Sequence, residues 1–164
     1  MMIPMAASPF TIRPGYPSDA DVLSDLAVRA KATWGYPSDW LEEWAPQLRF
    51  TEATFRRCAV FVAEEGGRIS GVVALASGPS TGAGEIEHLW VDPDVQNQGV
   101  GRALVAACLA AAREAGVTWI RIESDPGARP FYERLGAVYE GEVPAPIRDR
   151  RDRTLPVLRL EVAE

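Results

Sequence analysis

The residues best suited to chemistry in this 164-residue chain are Gln96-Asn97-Gln98-Gly99-Val100-Gly101-Arg102, with two glycines set among amides. The residues before them, ending in Leu89-Trp90-Val91, read as a strand. The alanine-rich, apolar-periodic residues after them read as a helix. The first backbone N–H groups of a helix lack intrahelical partners, and the helix dipole adds partial positive charge there. A glycine has no Cβ to keep an anion away from those groups. The junction therefore predicts a phosphate cradle, with the N–H groups of Gln98, Gly99, Val100, Gly101 and Arg102 facing the ligand.

Two common phosphate binders do not fit. A P-loop needs a Gly-Lys-Ser/Thr ending, and no lysine stands here. A dinucleotide fingerprint needs a third glycine, where this chain has Leu104. Glu123 lies where a ribose-binding acid would, but residues 92–98 separate the strand from Gly99, whereas dinucleotide glycines follow the strand directly.

What remains is Gln96-x-x-Gly99-x-Gly101, preceded by Val91-Asp92-Pro93. This resembles the acetyl-CoA signature of the GCN5-related N-acetyltransferase family. A second block, Ala128-Arg129-Pro130-Phe131-Tyr132-Glu133-Arg134-Leu135-Gly136-Ala137, is similar to that family's A-x-x-F-Y-E-x-L-G-F block, with Ala137 in place of the usual Phe. The resemblance is sharp over residues 85–143. It implies an α/β fold with a mixed, largely antiparallel sheet of about six to seven strands, a central parallel pair that splays apart, and about four flanking helices.

The same resemblance implies acetyl-CoA as acyl donor. Its pantetheine arm would pair with the backbone of Leu89, Trp90 and Val91, and its pyrophosphate would rest on Gln96 to Arg102, Asn97 included. A backbone N–H near Leu89 or Val91 would serve as oxyanion donor. Ala128 would also border the cofactor. Asp125 stands where the family often has an Asn whose amide bonds the pantetheine arm. Asp lacks that donor, so this contact is left open, and Asp125 could cap the next helix instead.

Acetyl transfer to an amine needs a held acyl carrier, a neutral amine, a stabilised oxyanion and a protonated leaving thiolate. Tyr132, at the Tyr of the second block, is the expected proton donor, since a phenol stays protonated at neutral pH. Strand alternation places Glu85, Glu87, Leu89 and Val91 on one face and His88 on the other. Glu87 and then Glu85 match positions from which the resembled family supplies a base. His88, the only histidine, titrates in a suitable range. The cluster Trp34, Tyr36, Trp40 and Trp44 reads either as core or, for Trp34 and Tyr36, as a wall of the acceptor pocket. There a ring could hold an apolar group or a cation.

Composition bounds the rest. The net charge of −6 argues against nucleic acid as a partner. Cys58 and Cys108 make neither a disulfide framework nor a metal spacing, so no metal is expected. Sixteen of the seventeen basic residues are arginine, and Lys31 stands alone. Residues 1–7 lack the basic start and apolar run of a signal peptide, and no apolar run reaches membrane-spanning length. A cytoplasmic protein is expected, with a tail over residues 1–9 and one domain over residues 10–164.

Several elements must position these groups. Residues 10–13 read as a strand. Ser18-Asp19 opens a helix to about Thr33, a second short helix carries Trp40 and Trp44, and Phe55 sits on a helical turn. Two strands meet at a Gly66-Gly67 hairpin. Residues 85–91, 118–123, 137–143 and 155–162 read as further strands, with a parallel crossover through the helix after the cradle. Pro156 fits a strand start or an edge. The loop of residues 144–153, with Arg148, Arg150, Arg151 and Arg153 among acids, reads as solvated, an anion contact being the minority reading.

Together these features predict an N-acetyltransferase acting on a primary amine of a small molecule or an amino terminus, by direct attack in a ternary complex. The alternative is a non-catalytic acyl-CoA-binding sensor or regulatory module. A protein lysine as acceptor is a third reading. The resemblance also implies closing strands that could pair two copies into a homodimer.

Overall fold

The Gly66-Gly67 turn, with φ of +56° and +80°, joins β2 (Ala59–Glu65) to β3 (Arg68–Ser77) in the twist that a tight hairpin requires. The remaining strands are β1 (Thr11–Pro14), β4 (Ala83–Val91), β5 (Trp119–Glu123), β6 (Val138–Pro144) and β7 (Thr154–Glu161). In this computed structural model, which describes residues 9–163, they form one sheet in the order β1-β2-β3-β4-β5-β7-β6. Every neighbouring pair is antiparallel except β4–β5. This is the mixed architecture expected from the sequence. The expected tail over residues 1–9 lies, apart from Pro9, outside the described residues.

Five α-helices cover the sheet, one more than anticipated: α1 (Ala20–Ala32), α2 (Ser38–Leu48), α3 (Glu52–Arg57), α4 (Val100–Glu114) and α5 (Arg129–Arg134). One face packs Leu104, Val105 and Cys108 of α4 and Tyr132 of α5 on Val73, Leu75, Ile120 and Ile122. The other packs Leu23 and Leu26 of α1, Trp44 and Leu48 of α2, and Phe50 on Val60, Val62 and Val72. A Cβ on Gly71 would lie 2.8 Å from both Leu104 Cδ1 and Val100 Cγ1. The missing side chain lets the start of α4 sit down on β3.

One expectation is corrected and one is narrowed. The loop after β6 is not simply solvated: Ile147 is 1% exposed and joins the core under α1 and α2. Burying one isoleucine anchors a segment in which every residue from Arg148 to Arg153 is charged. Pro156 lies near the start of β7, an interior strand, so of its two readings the strand start fits and the edge does not. Ser124 N, just past the end of β5, donates to its carbonyl, and the proline has no N–H to return, so the β5–β7 ladder ends at Glu123–Val157. Among the described residues no helix is long and apolar enough to cross a membrane.

Candidate active site

The parallel pairing of β4 and β5 runs only from Ala83–Trp119 to Ile86–Ile122. Beyond it the strands part, and among the described residues Glu87–Val91 have no strand partner on the β5 side. A cleft of about 370 Å³ occupies the opening. It is bordered by Leu89, Trp90 and Val91 on one side, Glu123, Asp125 and Ala128 on the other, and the start of α4 at its end.

At the same place β4 carries an extra residue. Ala74 pairs with His88 and Leu75 with Ile86, so Glu87 is bulged out of register. The bulge overturns the alternation read from the sequence. Ile86, Leu89 and Val91 face the α4 side. His88 packs tilted against Phe50, with ring centroids 4.4 Å apart, and Trp90 packs with it on the α1–α3 side. Glu87 bonds Cys58 of that same side, so Glu87 and His88 share a face while Leu89 and Val91 occupy the opposite one.

The cradle is built as a left-handed turn. Asn97 has φ +65° and Gly99, the residue before α4, has φ +85°. The two glycines serve different ends. Gly99 supplies the positive φ, with nothing within 4 Å of where a Cβ would stand. A Cβ on Gly101 would lie 3.2 Å from Phe131 Cζ, so Gly101 serves the seating of α5 on α4. Asp92 points away from the cradle. Its fully buried carboxylate takes Arg29 at 3.1 Å, Arg68 at 2.9 Å and the Asp94 N–H at 3.0 Å, tying α1, β3 and the turn before the cradle together. Burial alone would raise its pKa, but these donors hold it below the usual carboxylate value.

Tyr132 reaches the cleft from α5, buried but for 7% of its surface, and its hydroxyl makes no hydrogen bond to another described residue. Burial raises its phenol above the ordinary value. Glu87 also borders the cleft. It accepts from Arg57 Nη2 at 2.8 Å and from the Cys58 thiol at 2.9 Å. Burial would raise its pKa, but those donors draw it below normal. Burial and Glu87 push the Cys58 thiol up to about 12, so it stays a proton donor. His88 accepts from Trp90 Nε1 at Nδ1, and burial lowers its pKa to about 4, leaving it neutral.

The aromatic cluster is partly core and partly wall. Trp34 borders the cleft and lies so close over Gly127 that a Cβ there would stand 2.5 Å from its ring. Tyr36 instead packs with Trp40 and Trp44 and donates to Asp125 Oδ1 at 2.9 Å. Lys31 donates to the same oxygen at 2.8 Å, with its ammonium 4.2 Å from the Trp44 ring. Asp125 therefore makes no helix cap. Its carboxylate is the counter-ion of the only lysine.

Eleven of the twelve residues expected at the cofactor border the cleft: Leu89, Trp90, Val91, Gln96, Asn97, Gly99, Val100, Gly101, Arg102, Asp125 and Ala128. Gln98 does not, being exposed on the crest between the two positive-φ residues. Glu85 does not either, since it is drawn to Arg121 at 3.3 Å, and Tyr36 and His88 are set back behind the wall. Sequence reasoning missed Glu123, Phe131 and Arg134, which also border the cleft. The basic last turn of α5 was the one available sign for Arg134, which joins Arg102 in offering positive charge. Among the described residues no group of metal-ligating side chains is found.

Comparisons with known proteins bear on the family and the fold. The sequence profile described as "Acetyltransferase (GNAT) family" matches residues 25–137. The chain is 33% identical over 121 residues to mycothiol acetyltransferase of Thermobispora bispora, covering 68% of this chain and 41% of that protein. It is 38% identical over 118 residues to aminoglycoside N(6')-acetyltransferase type 1 of Stenotrophomonas maltophilia, covering 68% of this chain and 73% of that one. The match thus spans under half of the first relative. A GCN5-related N-acetyltransferase structure from Rhodopseudomonas palustris superposes with a TM-score of 0.78 at 22% identity, covering 96% of this chain and 98% of that one.

Proposed function

The chain belongs to the acetyltransferase (GNAT) family, and on that premise we propose that it transfers an acetyl group from acetyl-CoA to a primary amine. The observation that carries this reading is the opening between β4 and β5, closed at one end by the left-handed turn and helix start and bordered deep inside by Tyr132. The N–H groups of Gly99 to Arg102 and the charges of Arg102 and Arg134 hold the pyrophosphate. The unpaired backbone of Leu89–Val91 holds the pantetheine arm and supplies the oxyanion donor.

The amine nitrogen attacks the thioester carbonyl carbon in a ternary complex. Its proton passes to Glu87, which Arg57 keeps ionised. The C–S bond breaks and the leaving thiolate takes the Tyr132 proton, giving the N-acetylated amine and free CoA thiol. The acceptor is a small molecule or an amino terminus, approaching from the α1–α3 side where Glu87 lies. Both named relatives are small-molecule acetyltransferases by name, which supports that choice.

A thiol-release assay with acetyl-CoA against amines, amino acids, polyamines and peptides tests the proposal. Turnover with an acceptor supports the enzyme. A melting shift with acetyl-CoA and no turnover across the panel would favour the acyl-CoA sensor. No melting shift at all would overturn the cradle.

A further inference from the structure

Arg153, at the end of the loop before β7, carries a charge with no counter-ion among the described residues. Nη1 donates to the Ala145 carbonyl at 3.2 Å. Nη2 is buried, and it is the one buried side-chain nitrogen or oxygen among the described residues without a hydrogen-bond partner. The rings of Trp44, Tyr36 and Trp40 wall the guanidinium at 5.0, 5.7 and 5.9 Å. The contrast with other half-buried arginines is sharp: Arg13 binds Asp19 and Glu64, and Arg121 binds Glu85 and Glu123. The carboxylate to which Tyr36 donates, Asp125, is already paired with Lys31.

Arg153 is part-buried with one N–H group left unsatisfied, and a buried unsatisfied donor in a folded chain is costly and asks for an explanation. A guanidinium is a planar fork that fits a carboxylate or phosphate with two parallel bonds. The position is apt. Asp125 and Trp90 border the cleft, Tyr36 bonds the first, and Lys31 lies 5.9 Å from the ring of the second. Arg153 thus stands one side chain behind the cleft wall. The ring faces of this box are occupied by the protein's own Lys31 and Arg153, which leaves little for a cationic acceptor.

We propose that Arg153 selects the acceptor by binding an oxyanion group, a carboxylate or a phosphate, carried on the same molecule as the reacting amine. The acceptor reaches Nη2 by displacing Tyr36. This deepens the acetyl-transfer reading and rests on it.

The test compares amino acids with their carboxamides, and aminoalkyl phosphates with the parent amino alcohols, at saturating acetyl-CoA. Wild type is run beside Arg153→Met, Arg153→Lys and Arg151→Met, the last an exposed arginine of the same loop. Wild type is expected to prefer an anionic member over its neutral partner. Arg153→Met is expected to raise KM for that member roughly 30-fold, with kcat, the acetyl-CoA KM and neutral acceptors unchanged. Arg153→Lys regains part of the loss, and Arg151→Met matches wild type. The carboxylate and phosphate arms tell which oxyanion is preferred.

Equal use of charged and neutral acceptors by wild type, or an equal loss on both in Arg153→Met, overturns the proposal. If nothing in the panel turns over, melting shifts of the CoA-loaded protein with glycine and with inorganic phosphate decide. A shift abolished in Arg153→Met supports the site, and no shift in wild type overturns it. The shift with acetyl-CoA alone, read in the same run, reports separately on the acetyl-transfer reading.

Discussion

Lys31 and Asp125 meet at 2.8 Å across 94 residues of sequence, joining the first helix to the turn that follows β5. Both side chains are 12% exposed, and burial pulls the Lys31 pKa down despite the pairing. Asp125→Asn leaves the ammonium buried without a counter-ion. It is expected to destabilise the chain by about 3 kcal/mol in urea denaturation, in line with other orphaned buried charges. Adding Lys31→Met should return most of that loss, because the double variant no longer leaves the ammonium without its counter-ion. Full stability in the single variant would show that the pair contributes nothing.

Tyr132 is enclosed, protonated and on the border of the cleft. Tyr132→Phe keeps the ring and removes the proton. Steady-state kinetics should show kcat lowered by about 100-fold, within the usual range for a lost general acid. The acetyl-CoA dissociation constant should change little, since the hydroxyl bonds no other described residue and the ring packing is retained. An unchanged kcat would assign Tyr132 to packing alone.

Arg57 and Cys58 donate to Glu87 and draw its pKa below normal against the opposing effect of burial. If Glu87 is the base, Glu87→Gln lowers kcat/KM at every pH. Arg57→Met removes the larger of the two stabilising contacts and leaves burial to act, so the Glu87 pKa rises. The acid limb of the kcat/KM profile should then move to higher pH while the alkaline limb stays. A profile that does not move in Arg57→Met would take Glu87 out of the titration.

His88 predicts an acid-sensitive fold. The unfolded imidazole takes its proton near pH 6.5, whereas burial lowers the folded value to about 4. Between these values the unfolded state binds more protons, so stability is full above pH 6.5 and falls as pH drops toward 4, by about 3 kcal/mol. The Trp90 N–H aimed at Nδ1 adds to the cost of protonating that atom. His88→Gln keeps an acceptor and does not titrate. Urea denaturation from pH 7 to 4 should show its slope flattened relative to wild type over this window.

The cradle was legible because its signal is local: a strand, two glycines and a helix in unbroken order. The same holds for the hairpin at Gly66-Gly67 and the Tyr132 helix. The faces of β4 were not legible. One bulged residue at Glu87 changes the parity of everything after it, and a bulge leaves no mark in a run of alternating types. A second constraint on Gly101 was not legible for a related reason. Its constraint is Phe131, which lies thirty residues further along and comes close only after α5 folds back on α4. The partners of Lys31, Glu87 and Arg153 are likewise distant in sequence. Only the assembled sheet decides which arginine meets an acid and which does not.

The opening between β4 and β5 has a consequence for how the chain stands up to stress. A sheet usually exposes unpaired backbone at its rims, but here a rim lies in the middle, where Glu87–Val91 run without a neighbouring strand on one side among the described residues. Whatever molecule occupies that gap acts as a missing strand. By mass action, a ligand at 100 times its dissociation constant adds about 2.7 kcal/mol to the folded state. The lifetime of the protein in a cell is then a gauge of how full its gap is kept, and starvation for that ligand would be felt first as loss of the protein itself.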